Sequence, residues 1–279
     1  MTSHTFASRP LIGLEIAPES SENLLHEELP IPGIDYLALR HRPSSHVSLD
    51  ELLSLHDRLL ACIRIPILLH LPFQRLVNLS PNAREEYCSR LGASSPWGIL
   101  AIHGDDATGC TISLHDMCHI LAKLRTLLPD SYIIIAGHPR AILLLQSRQQ
   151  EEENLRSKVS CGVDGILTQM LSSPLEYEAY VSFTTETVGT LPVIPGIPLA
   201  PTSAVAERFH LVMSNPDQAN SSAWTCELAE SLALNKPHAL HFFGTRSAPD
   251  DIHMLKSHVL PRIQHENSEF MQSLNADDT

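Results

Sequence analysis

Short apolar runs alternate along the chain with longer stretches in which apolar positions recur every three or four residues. The short runs suit buried strands, which we expect at residues 11–16, 34–39, 65–71, 97–103, 132–136, 165–168, 191–194 and 239–243. The longer stretches suit amphipathic helices, which we expect at 21–29, 48–63, 81–91, 113–127, 141–161, 175–188, 202–213, 223–234 and 250–263. Strands that alternate with helices in this way predict a parallel sheet of the α/β class.

Eight strand–helix units, with one extra helix before the last strand, predict a closed (β/α)8 TIM barrel. We expect one domain over residues 1–279, in which residues 268–279 form a frayed tail. An open, doubly wound sheet is the structural alternative. Its glycine-rich dinucleotide turn should follow the first strand, but residues 15–18 contain no glycine.

Local signals set several helix boundaries. Ser48 followed by Glu51 predicts a capping box at the start of one helix. Ser80 and Pro81 predict the start of the next helix, and Gly92 is expected to end it. The acidic run at 151–153 is expected to lie on a solvated helix face.

Charge and cysteine usage narrow the class of partner. The 279 residues carry a formal net charge of −13, which argues against a nucleic-acid or anionic-membrane surface. The six cysteines form no C-x-x-C pair, and several lie in apolar patterns typical of reduced thiols in the cytoplasm. The chain shows no signal-peptide core and no apolar run long enough for a membrane span, so we expect a cytoplasmic protein.

Polar side chains follow several predicted strands, where a parallel barrel places its catalytic groups. Glu15 lies in an otherwise apolar strand and suits a general acid, or alternatively a bridge to a neighbouring His or Arg. Asp105 follows Gly104, which lets the backbone approach a ligand, although a structural cap is the alternative. Gln169 offers both a donor and an acceptor to a planar heterocycle, or alternatively bonds to a neighbouring strand.

Histidines also follow strands, namely His41, His70, His103 and His138. Four histidines at one mouth suggest a metal-dependent hydrolase as one alternative. The chain has no HExxH and no His-x-His after the first strand, so we expect no metal site.

Motifs in the predicted order resemble those of the methylenetetrahydrofolate reductase family. They run from the first to the seventh strand and are similar to the family's F-E-F-F-P-P, P-H-L-T, I-L-A-L-R-G-D, V-A-G-Y-P, L-K-x-K-V-x-A-G-A-D-x-x-I-T-Q and I-V-P-G-I. Their counterparts in this chain are residues 14–18, 69–71, 99–105, 135–139, 154–169 and 193–197.

The resemblance implies a flavin-dependent barrel that passes a hydride from NADH or NADPH, through flavin adenine dinucleotide (FAD), to methylenetetrahydrofolate. Glu15 would be the general acid that helps to open the folate's five-membered ring, and Asp105 would lie between flavin and pterin. Gln169 would contact the folate or the nicotinamide. The expected flavin-binding positions are His70, His103, Gly104, Asp105, His138, Asn154 and Lys158.

The chain departs from the family at positions that face the flavin. The arginine of R-G-D is His103, the tyrosine of A-G-Y-P is His138, and T-Y-G is replaced by residues 40–42. A barrel that binds folate without flavin, with or without catalysis, is therefore the alternative. Assembly into a homo-oligomer is left open.

Overall fold

The computed structural model describes residues 10–18, 32–41, 47–63, 65–103, 112–143, 145–211, 222–244 and 247–263. The predicted helix at 21–29, the predicted tail at 268–279, and Gly104 with Asp105 lie outside these residues. The extent of the domain through both ends of the chain therefore stays a prediction.

The strands close into a parallel barrel in which each strand pairs with its neighbour in sequence and the last pairs with the first. This confirms the predicted (β/α)8 fold. The strands are β1 (Leu11–Ile16), β2 (Tyr36–Leu39), β3 (Ile67–Pro72), β4 (Gly98–Ile102), β5 (Tyr132–Gly137), β6 (Gly165–Met170), β7 (Val193–Pro198) and β8 (Ala239–Phe243).

Helices follow the strands and lie around the barrel. They are α1 (Leu49–Cys62), α2 (Phe73–Asn78), α3 (Pro81–Ser94), α4 (Leu114–Leu127), α5 (Leu145–Val159), α6 (Pro174–Val188), α7 (Ser203–Arg208), α8 (Ser222–Leu234) and α9 (Ala248–Met254). Within the described residues, no helix has the length and apolar character that crossing a membrane would require.

Helix starts follow the sequence more closely than helix ends. The capping box of α1 is confirmed, because the Ser48 side chain accepts from the Glu51 amide and the Glu51 carboxylate accepts from the Ser48 amide. The prediction that Gly92 ends α3 is wrong. The helix continues to Ser94 and ends where Ser95 adopts the left-handed conformation, with φ of 45°.

Three other predicted helices are divided or shortened. The stretch at 141–161 begins as a 3-10 turn, Pro139–Leu143, before α5. The stretch at 202–213 contains the short helix α7. The stretch at 250–263 passes from α9 into a π-helical turn, Leu255–Val259.

Two layers of apolar side chains hold the barrel. The outer layer packs the strands against the helices. The inner layer fills the barrel with one residue from most strands, because side chains alternate between the two faces of each strand. Its members are Tyr36, Ala38, Leu68, Leu100, Ile134, Leu167, Ile194 and Ala239.

The inner layer depends on one close approach. The aromatic ring of Tyr36 lies directly over Gly13, where an added Cβ would be 2.0 Å from the ring. The same ring packs against Trp97 and His241, with centroids 5.4 and 5.9 Å away. Glycine at position 13 therefore lets an aromatic cluster occupy the barrel interior.

Candidate active site at the barrel mouth

Three polar side chains meet inside the barrel, from the carboxyl-terminal halves of β1 and β3 and from the middle of β8. They are Glu15, His70 and His241, which are 3%, 4% and 0% exposed. Their candidate ligand atoms all lie within 4.8 Å of one another. Buried polar groups at this density are costly unless they are paired or functional, so we take the cluster as the centre of the site.

Glu15 is held by a guanidinium. Arg40, which directly follows β2, donates from Nη1 to Glu15 Oε1 at 2.9 Å and to the Gly244 carbonyl at 3.1 Å. The other carboxylate oxygen lies 3.6 Å from Nε2 of His70. The bridge to Arg that the sequence left as an alternative for Glu15 is therefore present, and it stabilises the ionised carboxylate.

Burial disfavours the charged form of both histidines of the cluster. Burial, followed by the nearby His241, Arg40 and His41, holds the pKa of His70 well below its usual value. Burial alone lowers the pKa of His241 to about 3. Among the described residues, neither Nε2 has a hydrogen-bond partner, so each ring has an unused polar edge.

His241 was not among the residues expected in the site. Its Nδ1 lies 3.1 Å from the hydroxyl of Tyr36. The sequence did contain one signal for His241. It lies between the apolar Leu240 and Phe242 of a predicted strand, so its side chain points to the opposite face of the strand from theirs. The sequence alone does not show which face points into the barrel.

The rim of the mouth carries other predicted residues. Gln169 lies near the carboxyl end of β6, where the pairing with β7 is irregular between Leu167 and Met170, and its side chain is exposed. His103 follows β4 and is exposed, and its Nε2 lies 3.3 Å from the Ile112 carbonyl. His138 follows β5 and is half-buried.

The histidines predicted as a possible metal set take separate partners. His41 is buried, and its Nε2 contacts the Val47 carbonyl at 2.9 Å and Arg75 at 3.0 Å. His70 alone of the four belongs to the cluster with Glu15 and His241.

Helix α5 carries the remaining predicted positions. Asn154 is half-buried, and its Oδ1 accepts from Gln150 at 3.4 Å. Lys158 is also half-buried. Burial lowers the pKa of its ammonium, while Glu151 and Cys118 oppose that shift. These two residues therefore lie along α5 rather than on the strand ends.

The solvated face predicted for the acidic run is wrong for Glu151, which is 4% exposed. Its Oε1 accepts from the Tyr180 hydroxyl at 2.6 Å and from the His138 amide at 3.1 Å. Tertiary packing against α6 buries this carboxylate and ties the loop after β5 to α5. The position of His138 at the mouth therefore depends on Glu151.

Replacing Glu151 with alanine should destabilise the protein by about 1–3 kcal/mol, because two buried donors lose their acceptor. Urea unfolding measures the change. Glu152→Ala is the matched control, since Glu152 only pairs with Arg156 on the surface, and its effect should stay within about 0.5 kcal/mol. Equal effects of the two substitutions would refute the role of Glu151.

Solved structures share this fold at low sequence identity. A protein from Clostridium thermocellum that binds two copies of 5-methyl-5,6,7,8-tetrahydrofolic acid superposes with a TM-score of 0.61 at 13% identity, covering 89% of this chain and 94% of its own. A putative phosphonomutase from Burkholderia cenocepacia gives 0.55 at 13% identity, with coverages of 90% and 93%. An oxaloacetate acetylhydrolase gives 0.54 at 12% identity, with coverages of 98% and 95%. These likenesses show the barrel fold.

Sequence comparison finds one matching family model over part of the chain. A search of the curated proteins finds no significant match. The family model described as methylenetetrahydrofolate reductase matches residues 85–216, which run from within α3 to beyond α7. The resemblance that the motifs predicted is therefore confirmed over this segment, where the chain is similar to the methylenetetrahydrofolate reductase family.

Proposed function

We propose that the protein binds a reduced folate at the mouth of its barrel and reduces methylenetetrahydrofolate to methyltetrahydrofolate. NADH or NADPH would be the hydride donor, and FAD the carrier. The observation that carries the proposal is the family match over residues 85–216, together with the buried Glu15 near the carboxyl end of β1 and the exposed Gln169 near the carboxyl end of β6. The methyltetrahydrofolate bound by the Clostridium thermocellum protein of the same fold adds support.

Glu15 would supply the proton that opens the folate's five-membered ring. The carboxylate pairs with Arg40, and the proton that it delivers would be taken up from solvent once in each turnover. Arg40 already has a second acceptor in the Gly244 carbonyl, so its guanidinium stays hydrogen-bonded when Glu15 turns toward the substrate. Desolvation of the carboxylate by a bound pterin favours its protonated form.

Gln169 would orient the pterin. Its amide presents one acceptor and two donors, and the side chain is exposed at the rim. Such a group can pair with the alternating donors and acceptors of a pterin edge. Asp105 remains a proposed neighbour of the same ring.

The described residues fit a flavin dinucleotide in part. His103 and His138 offer hydrogen-bonding edges at the rim, Asn154 offers an amide, and Lys158 offers a cation for a phosphate. His70 and the pair at 104–105 complete the proposed set. When bound, FAD would supply the hydride-transfer chemistry, while the chain would orient it and exclude water.

One observation favours a second candidate, a barrel that binds folate without flavin and without turnover. The ion pair with Arg40 holds Glu15 in the charge state that cannot donate a proton. A binding protein requires no proton donor, and an ion pair beside the ligand would serve it unchanged.

The absorbance spectrum of fresh protein, followed by FAD and methyltetrahydrofolate titrations, separates these candidates. The altered flavin-facing positions remove two or three hydrogen bonds of about 0.5–1.5 kcal/mol each, which weakens binding by roughly ten- to a thousandfold. We expect FAD to bind but to be partly lost on purification. Lys158→Gln should weaken it further, while the exposed Lys256 provides the matched control Lys256→Gln.

Three outcomes are distinguishable. Flavin binding with oxidation of NADH or NADPH by methylenetetrahydrofolate supports the reductase. Folate binding to a protein that does not quench flavin fluorescence at high micromolar FAD supports the second candidate. Absence of folate binding would refute both.

A further inference from the structure

We infer that Glu15, His70 and His241 form a binding site for a divalent transition-metal ion inside the barrel. Two imidazoles and one carboxylate are a ligand set that holds zinc or iron(II) in proteins. The inference does not rest on the proposed folate chemistry, because it follows from the cluster itself.

The two histidine nitrogens carry the argument. Each Nε2 is buried and has no hydrogen-bond partner among the described residues, and both histidines belong to the cluster formed with Glu15. A buried polar atom left without a partner costs free energy. Coordination of a metal ion would remove that cost for both rings at once.

The side chains that contact the proposed ligands also suit a metal site. A histidine that binds metal through Nε2 usually donates its Nδ1–H to an oxygen. The Tyr36 hydroxyl lies 3.1 Å from Nδ1 of His241 and can accept that hydrogen. Arg40 holds Oε1 of Glu15, as outer-shell donors commonly hold a ligating carboxylate.

The candidate ligand atoms would have to move only slightly closer together to bind a metal ion. Candidate ligand atoms lie within 4.8 Å of one another, and Glu15 Oε2 is 3.6 Å from His70 Nε2. Tetrahedral zinc with bonds of about 2.0–2.1 Å separates its ligands by roughly 3.4 Å. Rotations of the two imidazole rings can supply the difference.

Metal binding and proton donation are alternative states of one carboxylate. A Glu15 that coordinates a cation cannot also deliver a proton. If the proposed reductase activity exists, the metal should inhibit it. Binding itself is measured without any activity, so failure of the proposed function would leave the metal inference testable.

Titration of chelator-treated protein with Co²⁺ tests the inference. We expect a visible absorption band that saturates at one equivalent and is abolished by Zn²⁺. His70→Gln and His241→Gln should each weaken binding by about a hundredfold or more, since changes to the outer shell alone cost roughly 10–100-fold. His56→Gln is the matched control, because His56 is also fully buried and lies outside the cluster.

Circular dichroism shows whether each variant folds. If a variant does not fold, histidine nitrogen resonances of the wild-type protein replace it, and Zn²⁺ should shift two Nε2 signals of slowly exchanging rings. Absence of Co²⁺ binding to the wild type, equal binding to His241→Gln, or no buried histidine shift with Zn²⁺ would overturn the inference.

Discussion

Chelator-treated Glu15→Gln should reduce methylenetetrahydrofolate about 10²–10⁴-fold more slowly than the wild type, because a general acid contributes a factor of that size. Glutamine keeps the size of the side chain and one hydrogen-bond acceptor, but its amide has no acidic proton to deliver. Hydride transfer from the nicotinamide to the flavin requires no proton from Glu15. That half-reaction should therefore remain close to the wild-type rate.

Stopped-flow measurement of the two half-reactions separates these effects. The matched control is Glu176→Gln, because Glu176 also pairs with an arginine, Arg140, outside the cluster. It should leave both half-reactions unchanged. If Glu15→Gln slowed both half-reactions equally, Glu15 would be a structural partner of Arg40 and the acid role would fail.

Gly13→Ala should destabilise the barrel by about 3 kcal/mol or more, at the upper end of the cost of overpacking a core. An added Cβ would lie 2.0–2.4 Å from two ring carbons and the hydroxyl oxygen of Tyr36. The ring cannot move freely, because it packs against Trp97 and His241. The clash must therefore displace β2 or break the aromatic cluster.

Urea and thermal unfolding measure this change. The matched control is Gly92→Ala in α3, where the added Cβ would meet its nearest atom, the Leu127 carbonyl oxygen, at an ordinary 3.7 Å. That substitution should stabilise the protein by about 0.5–1 kcal/mol, since alanine is the better helix former. Tyr36→Leu should recover part of the Gly13→Ala loss. If Gly13→Ala destabilised the protein less than ordinary surface substitutions do, the Tyr36 side chain would be able to adopt another position, and the predicted clash would be refuted.

The barrel could be predicted because strand and helix patterns repeat locally. Strand β8 at Ala239–Phe243 and strand β1 at Leu11–Ile16 begin and end at the predicted residues. Helix starts could also be predicted from neighbouring residues, as the capping box at Ser48 shows. Helix ends were less predictable, since the end of α3 depends on the conformation of Ser95 rather than on Gly92.

The site was predictable only in part. Glu15 is buried near the end of β1, as a strand-end polar residue in a barrel can be, and Gln169 is exposed near the end of β6. Which residues pair with Glu15 was not predictable, because Arg40 follows the neighbouring strand β2 and His241 lies on β8, which adjoins β1 only after closure. The burial of Glu151 has the same origin, since its acceptor role requires the Tyr180 hydroxyl from α6.

The sequence by itself determined the order and type of the elements and the family resemblance, because both are properties of consecutive residues. Only the tertiary structure decided which histidines lie beside the Glu15 carboxylate and which arginine pairs with it. Closure brings β8 beside β1 and places His241 and His70 around Glu15. The ionisation of such groups follows from burial and nearby charges, and neither exists until the barrel is closed.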